Sequence, residues 1–271
     1  MIDNRTLQTL SNPLSPVAEA FRVARTNIEF SGVDQSIKTL LITSSMKGEG
    51  KSTVSSNLAV AFAQLGRKVL LVDADFRRPT LHRIFGLDNR HGITTSLLKK
   101  GDPLEFAHAT AVPGLSVLPS GPIPPNPAEL LMTAAMTAFL QRVVPLFDHV
   151  IFDAPPATIV TDAAILSTKV DGVVLVVRSG KVDRRLLKRC REQLDQVKAN
   201  VLGVVVNGIT RENEAYYYQY YYNSYYGQSQ TPQRHKRRVR GKRGGSVADA
   251  VPTVREPQGL RVGQENDHSD A

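Results

Sequence analysis

The segment TLLITSSMKGEGKSTVSSNLAVAFAQLG, residues 39–66, constrains the fold of this chain more than any other. Its first six residues form a short apolar run typical of a buried strand, and residues 51–66 have the pattern of a helix. The turn between them, MKGEGKST, contains the Gly-Lys-Ser core of a phosphate-binding loop in the strand–loop–helix context that such a loop requires. The segment therefore predicts an α/β domain that binds a phosphate group where its first long helix begins.

The residue types in this loop suit phosphate binding. Gly48 and Gly50 allow the backbone to approach a ligand closely, and the N–H groups at the helix start attract an anion. Lys51 can neutralise β- and γ-phosphate oxygens, and the Ser52 hydroxyl can bind Mg²⁺. The loop departs from the pattern G-x-x-x-x-G-K-[ST] because its first position is Ser45. A glycine-rich turn without a ligand is the alternative interpretation.

Further short apolar runs alternate with helical patterns along the chain. The predicted strands after the first are KVLLVDAD (68–75), LSVLP (115–119), HVIFDAP (149–155), GVVLVVRS (172–179) and VLGVVVNG (201–208). Several are apolar without alternation, as in parallel strands that are covered on both faces. Helices are predicted at residues 13–30, with Ser15 as N-cap and Pro16 in the first turn, and at residues 183–197. This order predicts a doubly wound, mostly parallel sheet with helices on both faces.

The chain divides into four predicted segments. Residues 1–13 are polar and are expected to be flexible, and residues 14–210 form the predicted domain. Residues 211–228 contain all eight tyrosines, and residues 229–271 form a basic and polar tail. The tail has too little apolar content to offset the entropy of ordering, so disorder is expected there. The tyrosines are Tyr216, Tyr217, Tyr218, Tyr220, Tyr221, Tyr222, Tyr225 and Tyr226.

Composition limits the classes of protein that the chain can belong to. The net charge of +9 permits an anionic partner, although the run RHKRRVRGKR, residues 234–243, carries seven of the basic residues. The single cysteine, Cys190, excludes an internal disulfide and lies in a helical pattern that predicts a buried thiol. The histidines have no metal-ligand spacing, and no apolar run is long enough to span a membrane. We therefore expect a cytoplasmic protein.

Three aspartates stand at or just beyond the ends of predicted strands. Asp73 and Asp75 end one strand, and Asp153 ends another. The carboxyl ends of parallel strands are where α/β sheets bind ligands. Asp73 and Asp75 point to the same side of an extended chain, so one can hold a metal while the other faces a substrate. A single such aspartate is commonly a turn or helix cap, but three beside a phosphate loop favour an active site.

The motifs MKGEGKST, LLVDADFRRP, VIFDAPP and LPSGPIPPNPAELL occur in this order, with EAFRVARTNI before them and the tyrosines after them. Together they resemble the bacterial tyrosine kinases (BY-kinases) of capsule and exopolysaccharide synthesis, in their free-standing cytoplasmic form. The resemblance covers about residues 13–226. It implies a P-loop fold, ATP and Mg²⁺ as cofactors, and phosphorylation of the tyrosine cluster in trans between copies of the chain.

The resemblance also implies roles for individual residues. The residues implied for ATP binding are Gly48, Glu49, Gly50, Lys51, Ser52 and Thr53, with Asn207 at the adenine. The residues implied for Mg²⁺ are Ser52, Asp75 and Asp153. The residues implied for catalysis are Lys51, Asp73, Asp75, Arg77 and Asp153. Asp73 would orient or deprotonate the tyrosine hydroxyl, and how Asp73 and Asp75 divide the catalytic roles is left open. Arg77 would contact phosphate or a neighbouring subunit.

An E-x-x-R-x-x-R set, Glu19, Arg22 and Arg25, is implied to assemble the subunits into a ring. The spacing alone predicts only that the three lie on one side of a helix, where an exposed pair contributes about 0.2–0.5 kcal/mol. The implied partners are further copies of the chain, a separate membrane adaptor that recruits the protein to the inner face of the membrane, and a phosphotyrosine phosphatase. No nucleic-acid partner is expected.

Two alternative functions remain open at this point. A partition or septum-positioning ATPase shares the fold, but Met46 stands where those enzymes carry a signature lysine, and Lys47 is one place away. A non-catalytic, tyrosine-rich scaffold that senses nucleotide is the second alternative. The basic run at residues 234–243 is either a solvated charge run or a clamp for phosphorylated tyrosines, which would each add about −1.5 to −2 charge.

Overall fold

The computed structural model describes residue 3 and residues 6–32, 36–99 and 101–209. These residues belong to the first of two units into which the chain divides, Met1–Tyr221. The tyrosine cluster and the basic run at residues 234–243 lie outside the described residues. Within the described part, no helix is both long and apolar enough to cross a membrane.

A single sheet of seven strands forms the centre of the described domain. The strands are β1 (Thr39–Ser44), β2 (Val69–Asp73), β3 (His108–Ala109), β4 (Leu115–Leu118), β5 (His149–Asp153), β6 (Gly172–Arg178) and β7 (Val201–Asn207). Their order across the sheet is β3-β4-β2-β5-β1-β6-β7. β3 is antiparallel to β4, and all other pairs are parallel. All six predicted strands are confirmed, whereas the two-residue β3 is too short for a periodicity to indicate it.

Helices connect the strands. They are α1 (Gln8–Ser11), α2 (Pro16–Ser31), α3 (Lys51–Ala63), α4 (Leu81–Phe85), α5 (Ile93–Lys99), α6 (Pro127–Met132), α7 (Ala134–Val143), α8 (Asp162–Ser167) and α9 (Arg184–Gln196), with 3₁₀ turns at Pro103–Phe106 and Val144–Leu146. α2 begins as predicted, because Ser15 Oγ accepts a hydrogen bond from Ala18 N at 3.1 Å and Pro16 follows directly.

The apolar core has two layers, one on each face of the sheet. In one layer, Ile42 of β1 lies in a cluster with Phe62 of α3. In the other layer, Leu41 lies with Phe139 of α7 and Cys190 of α9. Neighbouring residues of one strand thus face opposite layers, as the alternation of side chains along a strand requires. The doubly wound prediction is confirmed, and Cys190 is fully buried as expected.

The sequence predicts that residues 1–13 are flexible. Where the structure describes this segment, at residues 6–13, it is packed against the domain. Residues 8–11 form helix α1, and Leu7 and Thr9 are fully buried. Thr9 N and Oγ1 both donate to Asn57 Oδ1, at 2.9 and 2.8 Å, and Asn57 Nδ2 donates to the Thr6 carbonyl at 2.8 Å. One asparagine on α3 thus bonds to three polar groups of the N-terminal segment, a contact that the composition of the segment does not indicate.

Candidate active site

The parallel strands bring the predicted acidic residues to one edge of the sheet. β2 ends at Asp73 and β5 ends at Asp153, and these two residues are register partners in the β2–β5 ladder. β5 is also paired with β1, which leads into the phosphate loop. The loop and two of the three carboxylates therefore lie at the ends of three neighbouring strands.

Lys51, the first residue of α3, lies among the oxygen atoms of this edge. Its Nζ is 2.8 Å from Asp75 Oδ2, 3.3 Å from Asp153 Oδ1 and 3.3 Å from Ser52 Oγ. Burial by itself would lower the pKa of Lys51, but attraction from Asp153 and Asp75 raises it above its ordinary value. The ammonium group is therefore a fixed positive charge at the place where phosphate would bind.

Asp73 is fully buried and is held by backbone N–H groups. Its Oδ2 accepts hydrogen bonds from Thr80 N and Leu81 N, both at 2.9 Å, whereas its Oδ1 accepts only a longer one from Asp75 N at 3.3 Å. Burial, and then the charge of Asp153, raise the pKa of Asp73 to about 7. Burial also raises the pKa of Asp153, against the opposing effects of Lys51 and Ser52. Asp73 is thus a carboxyl that can exchange a proton near neutral pH.

The oxygen atoms at this edge fit a magnesium ion. Lys51 Nζ contacts Ser52 Oγ, Asp75 Oδ2 and Asp153 Oδ1, so the hydroxyl and the two carboxylates lie close together. Mg²⁺ prefers such oxygen ligands and usually completes its shell with water and substrate phosphates. No group of three or more His, Cys, Asp or Glu side chains that could hold a metal ion occurs among the described residues.

Carbonyl groups along the phosphate loop are held by side chains from other elements. Thr158 Oγ1 donates to the Ser45 carbonyl, and Arg178 Nη1 donates to the Gly48 carbonyl at 3.3 Å. Asn207 Nδ2 donates to the Glu49 carbonyl at 2.9 Å. The first N–H groups of α3 have no partner within the helix and are available to an anion.

Gly50 is required by this arrangement. Its φ of +94° is in the left-handed region, and a Cβ added there would lie 1.9 Å from Asn207 Nδ2. The Asn207 carboxamide is therefore next to the loop, where Nδ2 donates to the Glu49 carbonyl and Oδ1 accepts from Gly208 N. Each of its two polar atoms retains one further hydrogen-bonding position for a base.

Arg77 makes an intramolecular ion pair. Its Nε and Nη2 lie 3.2 Å from the two carboxylate oxygens of Asp162, the first residue of α8, which is fully buried. The Arg77 side chain is 43% exposed, so the residue also faces solvent. Asp162 was missed by the sequence analysis. The available signal was an acidic residue immediately before the apolar run AAIL, where a helix N-terminus favours negative charge.

The three residues implied to assemble a ring have different surroundings. Glu19 and Arg22 form an ion pair on the exposed face of α2, and Arg22 also donates to the Pro13 carbonyl. Arg25 instead turns toward α3, where Nη1 donates to the Ala61 carbonyl at 2.9 Å. The eight tyrosines expected to accept phosphate lie outside the described residues.

Comparison with known proteins defines the class of the chain. The family model described as "ParA: NUBPL iron-transfer P-loop NTPase" matches residues 36–230. The chain is 45% identical to the tyrosine-protein kinase YwqD of Bacillus subtilis over 216 residues, which is 79% of this chain and 91% of that protein. The fold and the loop geometry are those of a nucleotide-binding P-loop NTPase.

Solved structures identify the family within this class. The chimerical protein CapA2B2 superposes with a TM-score of 0.74 and 39% identity, covering 78% of this chain and 93% of that one. The kinase domain of the Escherichia coli tyrosine kinase ETK superposes with a TM-score of 0.73 and 34% identity, covering 76% and 80%. The chain belongs to the bacterial tyrosine-protein kinases. The family resemblance is confirmed, and protein-tyrosine kinase activity is favoured over a partition ATPase or a scaffold.

Proposed function

We propose that this kinase transfers the γ-phosphoryl group of ATP to tyrosines 216–226 of a neighbouring copy of the same chain. The observation that carries the proposal is the position of Lys51, whose ammonium group contacts Asp75, Asp153 and Ser52 at the first turn of α3. A fixed cation at a helix N-terminus is suited to a triphosphate, and the tyrosine cluster follows the last strand by only a few residues.

The assignments to ATP and Mg²⁺ come from the family resemblance, and the same geometry supports them. Gly48, Gly50 and the first residues of α3, Lys51 to Thr53, supply backbone N–H groups to the phosphates, and Asn207 is assigned to the adenine. Ser52, Asp75 and Asp153 are assigned to Mg²⁺, which supplies neutralisation of charge that develops on the phosphate oxygens. In the nucleotide complex the Lys51 ammonium group would neutralise β- and γ-phosphate oxygens, and bound Mg²⁺ would neutralise Asp75 and Asp153.

Asp73 is assigned to the tyrosine hydroxyl. Its Oδ2 accepts from two backbone N–H groups, whereas Oδ1 accepts only the longer hydrogen bond from Asp75 N, so we assign Oδ1 to the hydroxyl hydrogen. The pKa of a free tyrosine is about 10. The pKa of Asp73, about 7, is closer to the pKa of the tyrosine hydroxyl than the pKa of an ordinary aspartate is. Asp73 can therefore receive the hydroxyl proton as the phosphoryl group is transferred.

Assembly and cellular role are part of the proposal. The exposed Glu19–Arg22 pair on α2 supports a contact between copies, and Arg25 couples α2 to α3, the helix that carries Lys51. We assign the kinase to capsule or exopolysaccharide synthesis because its motifs resemble those of that group. A separate membrane adaptor would recruit it from the cytoplasm to the inner face of the membrane, and a phosphotyrosine phosphatase would reverse the modification.

Incubation of the purified full chain with labelled Mg·ATP tests the reaction. We expect phosphotyrosine on the wild-type chain and none on a folded Lys51→Met variant. Release of free phosphate without phosphotyrosine would indicate a partition-type ATPase, and neither product would indicate a scaffold. A folded Lys51→Met chain with wild-type phosphotyrosine would refute the site assignment.

A further inference from the structure

Glu49 is an acidic residue in a buried place. Its side chain lies in the phosphate loop and the residue is only 4% exposed. A carboxylate is rarely buried without partners, because removal from water is costly unless hydrogen bonds replace those to solvent. A carboxylate beside a phosphate site is also unfavourable for binding an anion. A carboxylate at this position must therefore make other interactions that offset both costs.

The partners of Glu49 are at the other end of the same loop. Ser45 Oγ lies 3.0 and 3.2 Å from the two carboxylate oxygens, and Met46 N donates to Oε2 at 2.7 Å. Ser45 occupies the first position of the loop pattern, which is usually glycine. A glycine there would have no hydroxyl group to bind Glu49. The Ser45–Glu49 contact thus closes the loop from residue 45 to residue 49.

Further hydrogen bonds fix the peptide groups on either side of this contact. Ser44 Oγ donates to the Met46 carbonyl at 2.8 Å, so both the N–H and the C=O of Met46 are held. The Glu49 carbonyl accepts from Asn207 Nδ2. Glu49 is therefore bound through its side chain on one side and through its backbone on the other, directly before Gly50 and Lys51.

From these contacts we infer that Glu49 is a positioning residue for nucleotide binding, which acts through Ser45 and Met46. Its carboxylate does not contact phosphate. It holds the loop in the shape that exposes the N–H groups of the α3 start before a nucleotide arrives, so less conformational freedom is lost on binding. The inference rests on the proposed ATP site at Gly48–Thr53.

A carboxylate that only stabilises the fold makes a different prediction. Its removal would lower the melting temperature and leave the affinity of the remaining folded protein for nucleotide unchanged. Removal of a loop-positioning residue raises KM for ATP and Kd for ADP, while kcat at saturating ATP changes little, because bound nucleotide restores the loop shape.

The test compares Glu49→Ala, Glu49→Gln and Ser45→Ala in the full chain. The measured quantities are Kd for Mg·ADP by calorimetry, KM and kcat for autophosphorylation, and the melting temperature. We expect Glu49→Ala to raise Kd and KM about tenfold, because that is the change expected when roughly one charge-assisted hydrogen bond is lost. Glu49→Gln retains one side-chain carbonyl oxygen and should stay within about threefold of the wild type. Glu192→Ala, an exposed carboxylate on α9, is the control and should match the wild type.

A double variant separates coupling from independent damage. Because Ser45 and Glu49 hold the loop through the same hydrogen bonds to each other, Ser45→Ala should raise Kd by about threefold in the wild type and have no further effect in Glu49→Ala. Additive effects, or an unchanged Kd in folded Glu49→Ala, would overturn the inference. If the wild-type chain itself does not bind Mg·ADP, the proposed ATP site fails instead, and the two failures are distinguishable.

Discussion

Asp73 and Asp153 are register partners at the carboxyl ends of β2 and β5, and both are fully buried. The charge of Asp153 adds to the effect of burial and raises the pKa of Asp73. Lys51 contacts Asp153 and Asp75 directly, whereas the side chain of Asp73 is held by backbone N–H groups. The two aspartates of the D-x-D sequence at residues 73–75 therefore have different surroundings.

This difference predicts separate kinetic effects for the two aspartates. Asp73→Asn should lower kcat by about 10²–10⁴-fold, as expected for loss of a general base. Asp75→Asn should instead raise the Mg²⁺ concentration required for half-maximal activity, since it removes a proposed metal ligand. Initial rates of phosphotyrosine formation across a Mg²⁺ titration distinguish them. The same Mg²⁺ requirement in both variants would show that the division of roles is wrong.

The Arg77–Asp162 pair predicts a stability effect. Arg77→Ala leaves the fully buried Asp162 without its bidentate partner and should lower the free energy of unfolding by about 1–3 kcal/mol. Arg78→Ala, the neighbouring exposed arginine, should change it by less than about 0.5 kcal/mol. Urea denaturation of Arg77→Ala, Asp162→Ala and the double variant Arg77→Ala/Asp162→Ala measures the coupling, with Arg78→Ala as the control. Additivity of the two single changes would contradict a direct interaction.

Asn57 predicts how the N-terminal segment is attached. Asn57→Ala removes the acceptor of Thr9 and the donor to Thr6, and should cost about 1–3 kcal/mol of stability. Hydrogen exchange should become faster mainly in residues 6–12, because the rest of α3 remains packed. Gln64→Ala removes only one hydrogen bond to the Thr9 carbonyl and should have a smaller effect. Equal protection in Asn57→Ala and the wild type would refute this attachment.

His149 predicts a pH dependence of stability. Burial lowers the pKa of His149 below its ordinary value of 6.5, although Glu29 and the Ile37 carbonyl oppose the shift. The unfolded chain then takes up a proton at higher pH than the folded chain, so this histidine makes stability fall as the pH drops below about 6.5.

Urea denaturation at pH 7.5 and pH 5.5 measures this contribution. The wild type should lose more stability on acidification than His149→Gln, by at most about 1.4 kcal/mol per pH unit. His91→Gln, which replaces an exposed ring, should follow the wild type. A wild-type loss no larger than that of His149→Gln would contradict the effect of burial.

Much of the fold was predictable because local patterns and global packing agree. Continuous apolar runs gave all six longer strands, and the sheet edge that collects Asp73 and Asp153 follows from parallel pairing alone. The loop motif located Lys51 and Ser52 in the same way. The strands and the phosphate loop are each indicated by a short stretch of sequence, without reference to the rest of the chain.

The remaining features depend on contacts between distant residues. Asp162 is 85 residues from Arg77, and Thr9 is 48 residues from Asn57, so no local pattern links either pair. The role of Glu49 was also hidden, because a sequence places it in a phosphate loop without showing that its side chain turns to Ser45. Such long-range and inward-turning contacts require the three-dimensional arrangement of the chain.

The central claim is that the site around Lys51 phosphorylates the tyrosine cluster of another copy of the chain. It is tested by mixing a Lys51→Met chain, which retains all eight tyrosines, with an active chain in which those tyrosines are phenylalanine, followed by mass-spectrometric mapping of phosphotyrosine. We expect phosphate on tyrosines 216–226 of the Lys51→Met chain and none when both chains carry Lys51→Met. A mixture in which the Lys51→Met chain stays unmodified, while the active chain phosphorylates an added tyrosine peptide, would contradict the claim.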